Sequence, residues 1–406
     1  MQPEPCSDSP RQWVNRPSFS SAAKPIGREP TTRSGLRMTG APANAANLLP
    51  VFQFFYGTPI IEREIMTRIF VPQPIPEVAA AKLDTLGEVT TYPHVDRMIP
   101  EADLLEAVRD KHILFGIGEI PFNERVFEAA KELQFVSVMH GSAKFIDFAA
   151  ATRRNIPVSG QKSMTQKTTA EFTFALLMAT AWRLPEADTF LREDRWRQNQ
   201  SMAFLGTRLF GKTLGIVGMG RIGQLLARKA VACDMRIIYN KRTPLSPAEE
   251  FVLGSAEFRT LDDLFTEADF ISLTPALTKD TVGLIDEHLI SLMKPSAILI
   301  NTSRGLVLDE AALEKALREK RIRGAGLDVY QTEVPEPNPG PIAGLKDLPN
   351  VVLTPHIGSA GRETREEMAL RTVMNIERFI AGKRPYDVFN PEVYGEAAIT
   401  GDEVIG

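Results

Sequence analysis

The sequence predicts an α/β protein made of two doubly wound parallel-sheet domains, and three observations carry that prediction. From residue 66 onward short apolar runs alternate with helix-patterned segments, which is the rhythm of parallel strands joined by helical crossovers and covered on both faces. The runs fall into two series that part near Gly160. The chain has 406 residues, 43% of them hydrophobic and 24% charged, enough for two cores of ordinary soluble composition.

The first 47 residues hold seven prolines, many Ser and Thr, and no apolar periodicity. Residues 1–65 are therefore expected to be a disordered or extraneous extension. The globular part is expected to begin near Met66, where "MTRIFVPQPIPEVAAAKL" reads as a strand followed by a helix. In the first series, strands are expected at 69–71, 89–92, 113–116, 135–139 and 156–158, with helices at 77–86, 101–109, 123–133 and 145–153. Then "TTAEFTFALLMATAWRLPEADTFL" is apolar all round for four turns before Pro185, as expected of a helix buried between two bodies. The second series places strands at 214–218, 235–239, 270–273, 297–301, 325–329 and 351–353. A helix over 364–381 follows; since the second sheet is complete by then, this helix is expected to pack back on the first unit. The expected organisation is a first unit from 66–160 and 362–395, a second from 161–361, and a tail from 396–406.

Forty-seven basic residues against 51 acidic ones give a net charge of −4, so no basic field advertises nucleic acid or an anionic membrane. The longest nearly uncharged apolar stretch, "LLPVFQFFYG", is short of the ~20 residues a membrane span needs. Cys6 and Cys233 stand in unrelated contexts and imply neither a disulfide framework nor a metal site. Small-molecule partners and a cytoplasmic location are expected.

"KTLGIVGMGRIGQLLARKA" carries Gly218, Gly220 and Gly223 in G-x-G-x-x-G spacing, after an apolar strand and at the start of an amphipathic helix. That context makes the glycines a phosphate-cradling turn: Gly218 allows the tight turn, Gly220 the approach of a pyrophosphate, and Gly223 close helix-to-strand packing. The diphosphate would lie on the helix N-terminus, at Arg221 and Ile222. About 20 residues later, where an NAD site normally shows an acid for the ribose 2′-hydroxyl, the chain shows "YNKRTP". Asn240, Lys241, Arg242 and Thr243 offer donors and two positive charges, which suit a 2′-phosphate, so NADP is expected in preference to NAD.

Ligands of an open parallel sheet bind beyond the carboxyl ends of its strands. Arg304 follows "AILINTS", Glu333 lies in the loop after "AGLDV", and His356 follows "VVLTP". Arg304 can grip a carboxylate bidentately without losing its charge. His356 can give a proton to a carbonyl oxygen near neutral pH. Glu333 can orient the imidazole and favour its charged form. His94, His112, His140 and His288 are expected to be structural.

From Met66 to Gly395 the chain resembles the NAD(P)-dependent D-2-hydroxyacid dehydrogenases, of the glyoxylate/hydroxypyruvate reductase kind. "GIVGMGRIG", "INTSRGLVLDE", "GAGLDVYQTE" and "LTPHIG" are similar to that family's signatures in the same order. The resemblance implies a Rossmann dinucleotide-binding domain inserted into a smaller flavodoxin-like substrate domain, usually in a homodimer. It implies hydride transfer between NAD(P)H and a small 2-oxo acid, with Arg304 on the substrate, Glu333 paired with His356, and His356 as acid and base. It also implies that Asp328 approaches the nicotinamide amide, that Thr274 and Thr302 line the cofactor, and that backbone amides of Gly141, Ser142 and Ala143 face the substrate carboxylate. The chain departs from the family in "HGSAKFID", where His140 and Ser142 replace glycines and Lys144 adds a charge. A reading from another class is a dinucleotide-sensing, corepressor-like protein of the same fold, which turnover of a 2-oxo acid would separate from an enzyme.

Overall fold

The computed structural model describes residues 14–15, 66–118, 120–140, 145–161, 163–333 and 338–396. Apart from Val14–Asn15, the extension 1–65 lies outside the described residues, as does the tail 397–406.

The first sheet contains β1 (Val14–Asn15), β2 (Arg68–Val71), β3 (Glu88–Thr91), β4 (Ile113–Gly116), β5 (Phe135–Val138) and β6 (Val158–Ser159), in the order β1-β3-β2-β4-β5-β6. Strands β2 to β6 are parallel, in the flavodoxin-like order, and β1 lies antiparallel along the outer edge. The interior strands are buried on both sides, "ILFG" and "FVSV" at every position, so their sequences read as apolar runs instead of alternations. Helices α1 (Glu77–Leu83), α2 (Glu101–Ala107), α3 (Glu124–Ala129) and α4 (Phe148–Arg153) cover the faces. The Asn123 and Asp147 side chains cap α3 and α4 by accepting from Val126 N and Ala150 N. β6 begins two residues later than expected from 156–158. Pro157 has no amide to donate, and its carbonyl instead accepts from Val136 N at 3.1 Å, so the ladder starts at Val158.

The second sheet contains β7 (Thr213–Val217), β8 (Arg236–Asn240), β9 (Glu257–Phe258), β10 (Phe270–Leu273), β11 (Ile298–Asn301), β12 (Gly324–Leu327) and β13 (Val351–Leu353), all parallel, in the order β13-β12-β11-β10-β7-β8-β9. This is the doubly wound dinucleotide-binding order with an added strand, and its direction of winding reverses between β7 and β10. The edge strand β9 has no apolar run and was not expected. The helices before and around this sheet are α5 (Gln166–Ala181), α6 (Leu184–Arg192), α7 (Arg221–Val231), α8 (Pro247–Val252), α9 (Leu261–Glu267), α10 (Glu287–Leu292), α11 (Glu310–Arg318) and α12 (Ala343–Lys346). Apolar clusters fill both faces: one unites Leu264, Phe265, Leu289, Leu313 and Leu317 with the strands, the other Leu176, Leu177, Leu226 and Ala227.

Helix α5 is not sandwiched between two bodies, as its all-round apolarity led us to expect. It buries Ala170, Thr173, Leu176, Leu177 and Thr180 against α7 and β11 to β13 of the second sheet, and its Lys167, Glu171 and Ala175 are exposed. It stops at Arg183, whose φ of +54° breaks the helix before α6.

The long helix α13 (Arg362–Ile380) returns to the first sheet, packing Met368, Ala369, Val373 and Ile376 against α1 and β5. The following segment joins β6: Phe389 N donates to Val158 O at 2.8 Å and Gly160 N to Asp387 O at 3.0 Å. The buried Gln161 side chain donates to Met368 O and to Thr372 Oγ1, fastening the outgoing chain to the returning helix.

Candidate active site

The register of the second sheet decides where its chemistry gathers. Val217 is paired with Asn240 and Leu273, Leu273 with Asn301, Asn301 with Leu327, and Leu327 with Leu353. Six strands thus end on one row, and the residues that follow them are Gly218, Lys241, Thr274, Thr302, Asp328 and Thr354. Five of these were singled out from the sequence. Thr354 was not.

The glycine turn has the geometry its spacing demands. Gly218 has φ +93°, and a Cβ there would sit 2.5 Å from Pro275 N. At Gly223 a Cβ would meet Gly218 O at 2.6 Å, which is the close helix-to-strand approach expected. At Gly220, by contrast, a Cβ would meet nothing within 4 Å. Gly220 is also the N-cap of α7, and no side chain caps that helix. Its first-turn amides, those of Arg221, Ile222 and Gly223 among them, therefore face open space with the positive end of the helix dipole. A diphosphate fits there. Thr274 buttresses the turn, its hydroxyl donating to Gly218 O at 2.8 Å. The Thr302 hydroxyl, buried, is bonded to Thr173 Oγ1 of α5 at 2.7 Å.

After β8 the basic loop is held from beneath. Buried Tyr239 donates its hydroxyl to Glu250 Oε1 at 2.7 Å and accepts from Leu245 N at 2.8 Å. Burial, with that carboxylate, pushes the phenol up to about 12, so it stays a donor. Asn240 turns its Nδ2 onto Arg259 O at 2.8 Å and is committed to the fold. Arg242 and Thr243 are exposed, and neither Lys241 nor Arg242 makes an ion pair among the described residues.

Across the switch point the three reactive candidates come together. His356 Nδ1 lies 3.2 Å from Glu333 Oε2. The Arg304 guanidinium is close enough for its charge to act on both. Arg304 Nη1 donates to Ser303 O at 2.8 Å, and burial holds its pKa below the ordinary value against the attraction of Glu333. For His356 the hydrogen bond to Glu333 outweighs burial and raises the pKa, although the side chain remains 45% exposed. For Glu333 burial opposes ionisation, yet the His356 hydrogen bond and charge, the Tyr330 amide and Arg304 together hold the carboxyl below its usual range. Gly305 makes the convergence possible: a Cβ there would lie 1.8 Å from the Tyr330 carbonyl, so only glycine lets the Arg304 turn lie against the strand exit that leads to Glu333. Gly141, Ser142 and Ala143 lie outside the described residues.

The family model for the NAD binding domain of D-isomer specific 2-hydroxyacid dehydrogenases matches residues 174–358. The glyoxylate reductase of Pyrococcus furiosus is 42% identical over 330 residues, which cover 80% of this chain and 96% of that protein. The chain belongs to the D-2-hydroxyacid dehydrogenases. Among solved structures, a protein from Thermus thermophilus is 38% identical with a TM-score of 0.71, covering 79% of the dehydrogenase and 99% of that chain. A glyoxylate reductase from Paecilomyes thermophila is 28% identical with a TM-score of 0.66, over 81% and 99%. The dehydrogenase is thus an oxidoreductase that uses a nicotinamide dinucleotide for hydride transfer on a 2-hydroxy acid.

Within the dehydrogenase, Asp328 is engaged in a way the sequence did not reveal. Its carboxylate, 1% exposed, accepts from Ile357 N at 2.9 Å, Gly358 N at 2.8 Å and Thr354 Oγ1 at 2.6 Å. Burial raises its pKa against these bonds and the attraction of His356. The His356 amide donates to the Asp328 carbonyl at 2.9 Å, and His356 itself has φ +53°. A left-handed histidine stores strain, and here the bonds from Asp328 hold it. Gly358 leaves room for this bond, since a Cβ there would approach Asp328 Oδ2 to 3.1 Å.

Proposed function

We propose that the dehydrogenase reduces a small 2-oxo acid such as glyoxylate or hydroxypyruvate, that it prefers NADPH, and that Arg304, Glu333 and His356 do the protein's share of the chemistry. The observation that carries this reading is the His356–Glu333 hydrogen bond beside the Arg304 guanidinium, on the edge where the glycine turn offers a diphosphate site. Glyoxylate is the substrate in the names of the relatives above.

The dinucleotide, when bound, supplies the hydride. Arg304 holds the substrate carboxylate by paired N–H donors and keeps its charge in a partly buried site. Glu333 takes the Nδ1 proton of His356 in a hydrogen bond, which fixes the ring and leaves Nε2 for the substrate. Protonated His356 donates from Nε2 to the carbonyl oxygen as negative charge builds there, and in the reverse direction neutral Nε2 takes the hydroxyl proton. Gly141, Ser142 and Ala143 complete the carboxylate site in this reading. Lys241, Arg242 and Thr243 receive the 2′-phosphate, since Asn240 is spent on Arg259. Asp328 and Thr302 stand at the nicotinamide end of the row.

Residues 66–160 with 362–395 form the substrate domain and 161–361 the dinucleotide domain, working in the cytoplasm as a homodimer. The dimer is supported by the segment after α5, which exposes Trp182, Leu184, Leu191, Trp196, Met202 and Leu205. Large apolar groups gathered on one segment are what a second copy would cover. Sedimentation at several concentrations reads it, and a monomer throughout removes the dimer.

The deciding assay follows NADPH and NADH oxidation with a panel of 2-oxo acids. Turnover of at least one short 2-oxo acid is expected. Dinucleotide binding with no turnover of any would replace this reading by a sensing role.

A further inference from the structure

Glu310 opens α11, where a first-turn acid ordinarily points to solvent and interacts with the helix dipole. This one is 1% exposed. The helix does not need it as a cap, because Asp309 Oδ1 already accepts from Ala311 N and Ala312 N at 3.0 Å. Instead the Glu310 carboxylate turns inward. Oε1 accepts from Gln331 N at 2.6 Å and Oε2 from Ile342 N at 3.3 Å. Burial raises its pKa against these two bonds, and the charge of Glu333 adds to the rise.

Gln331 and Ile342 bound the stretch that carries Glu333. One further tie draws the ends together, Gly340 N donating to Thr332 O at 2.8 Å, while Gln331 Nε2 anchors its own end to Leu308 O at 2.7 Å. Glu333 is two residues from the first of these anchors, and its Oε1 accepts from Tyr330 N at 3.0 Å while Oε2 meets His356. We infer that Glu310 is a positioning residue: one buried carboxylate grips the amides of Gln331 and Ile342 and so fixes where Glu333, two residues from the first, meets His356. The inference rests on the proposed pairing of Glu333 with His356.

A glutamine at 310 would turn an N–H2 toward a backbone N–H, so one grip is lost and a donor faces a donor. The groups whose charge acts on His356 are Glu333, Arg304 and Asp328. A changed titration of His356 in Glu310→Gln therefore reports the placement of Glu333. The experiment measures 2-oxo acid reduction against pH at saturating dinucleotide for the full-length enzyme, Glu310→Gln, Gln331→Ala and Glu333→Gln, with thermal melts of each. Reduction needs protonated His356, so its rate falls as pH rises through the histidine pKa. Glu333→Gln should move that fall to lower pH, and Glu310→Gln should move it the same way, with turnover down about tenfold and the dinucleotide KM within about twofold. Gln331→Ala keeps the amide that Glu310 accepts from and loses only the tie to Leu308 O, so its profile should lie close to the parent's. A folded Glu310→Gln with the parent profile overturns the inference while the Glu333 pairing stands; should Glu310→Gln not fold, Glu310→Asp, one methylene too short to reach both amides, takes its place, and an unmoved profile there does so. An unmoved profile in Glu333→Gln overturns the pairing and the inference with it.

Discussion

Asp328 shapes the loop that carries His356: its carbonyl accepts the His356 amide and its two carboxylate oxygens accept those of Ile357 and Gly358. Asp328→Asn keeps the shape but replaces one acceptor by a donor facing an amide. A buried donor left without its acceptor costs about 1–3 kcal/mol, so the melting temperature should fall by several degrees and turnover with it. An unchanged melt and rate would show that the loop holds its form unaided.

His356→Ala should lower turnover by about a hundredfold to ten-thousandfold, the usual worth of general acid catalysis. Dinucleotide binding, followed by nucleotide fluorescence, should persist. A turnover number equal to the parent's removes His356 from the chemistry.

The raised pKa of His356 fixes the sign of the pH response. Reduction uses the protonated ring, so it should stay active above the ordinary histidine range before falling. Oxidation uses the neutral ring and should rise only as pH passes the same point. Glu333→Gln removes the main cause of the rise, and both limbs should move down together. Limbs moving in opposite directions would point to different titrating groups.

Arg242→Ala and Lys241→Ala should each raise the KM for NADPH by about tenfold, since a charge-assisted bond to phosphate, worth about 1.5–3 kcal/mol, falls to about 1.4 kcal/mol or less once the exposure of these charges is discounted. The KM for NADH should barely change. Equal effects on both dinucleotides would take these cations off the 2′-phosphate.

Gly220→Ala and Gly223→Ala divide binding from folding. The methyl at 220 meets no protein atom within 4 Å, so that variant should melt like the parent and bind dinucleotide poorly. At 223 the methyl meets Gly218 O at 2.6 Å, and the fold should lose about 1–3 kcal/mol. Tight dinucleotide binding by Gly220→Ala would refute a diphosphate there.

Much of the architecture was legible because both sheets are buried on two faces, which writes each interior strand as an apolar run; 113–116 and 270–273 were placed to the residue. Of the two edges of the second sheet, 351–353 still carries an apolar run and was placed too, but β9 was not. β9 is two residues long and half-exposed, and a strand with nothing to bury leaves no pattern. Helix α5 misled because Phe172, Phe174, Met178 and Ala179 look like core in the sequence but are only partly covered. In the site, side chains with chemistry of their own were legible from residue type and strand-end position. The supports were not: Glu310 and the Asp328 carboxylate act through backbone amides that any residue presents, and the Thr354 hydroxyl acts through that carboxylate, so their partners emerge only in three dimensions.

The polypeptide passes between its two sheets twice, outward at Gln161 and back at the start of α13, and these passages are stitched to each other by the Gln161 side chain. A body hung on one strand of chain is free to swivel, and a second crossing fastened to the first takes away part of that freedom.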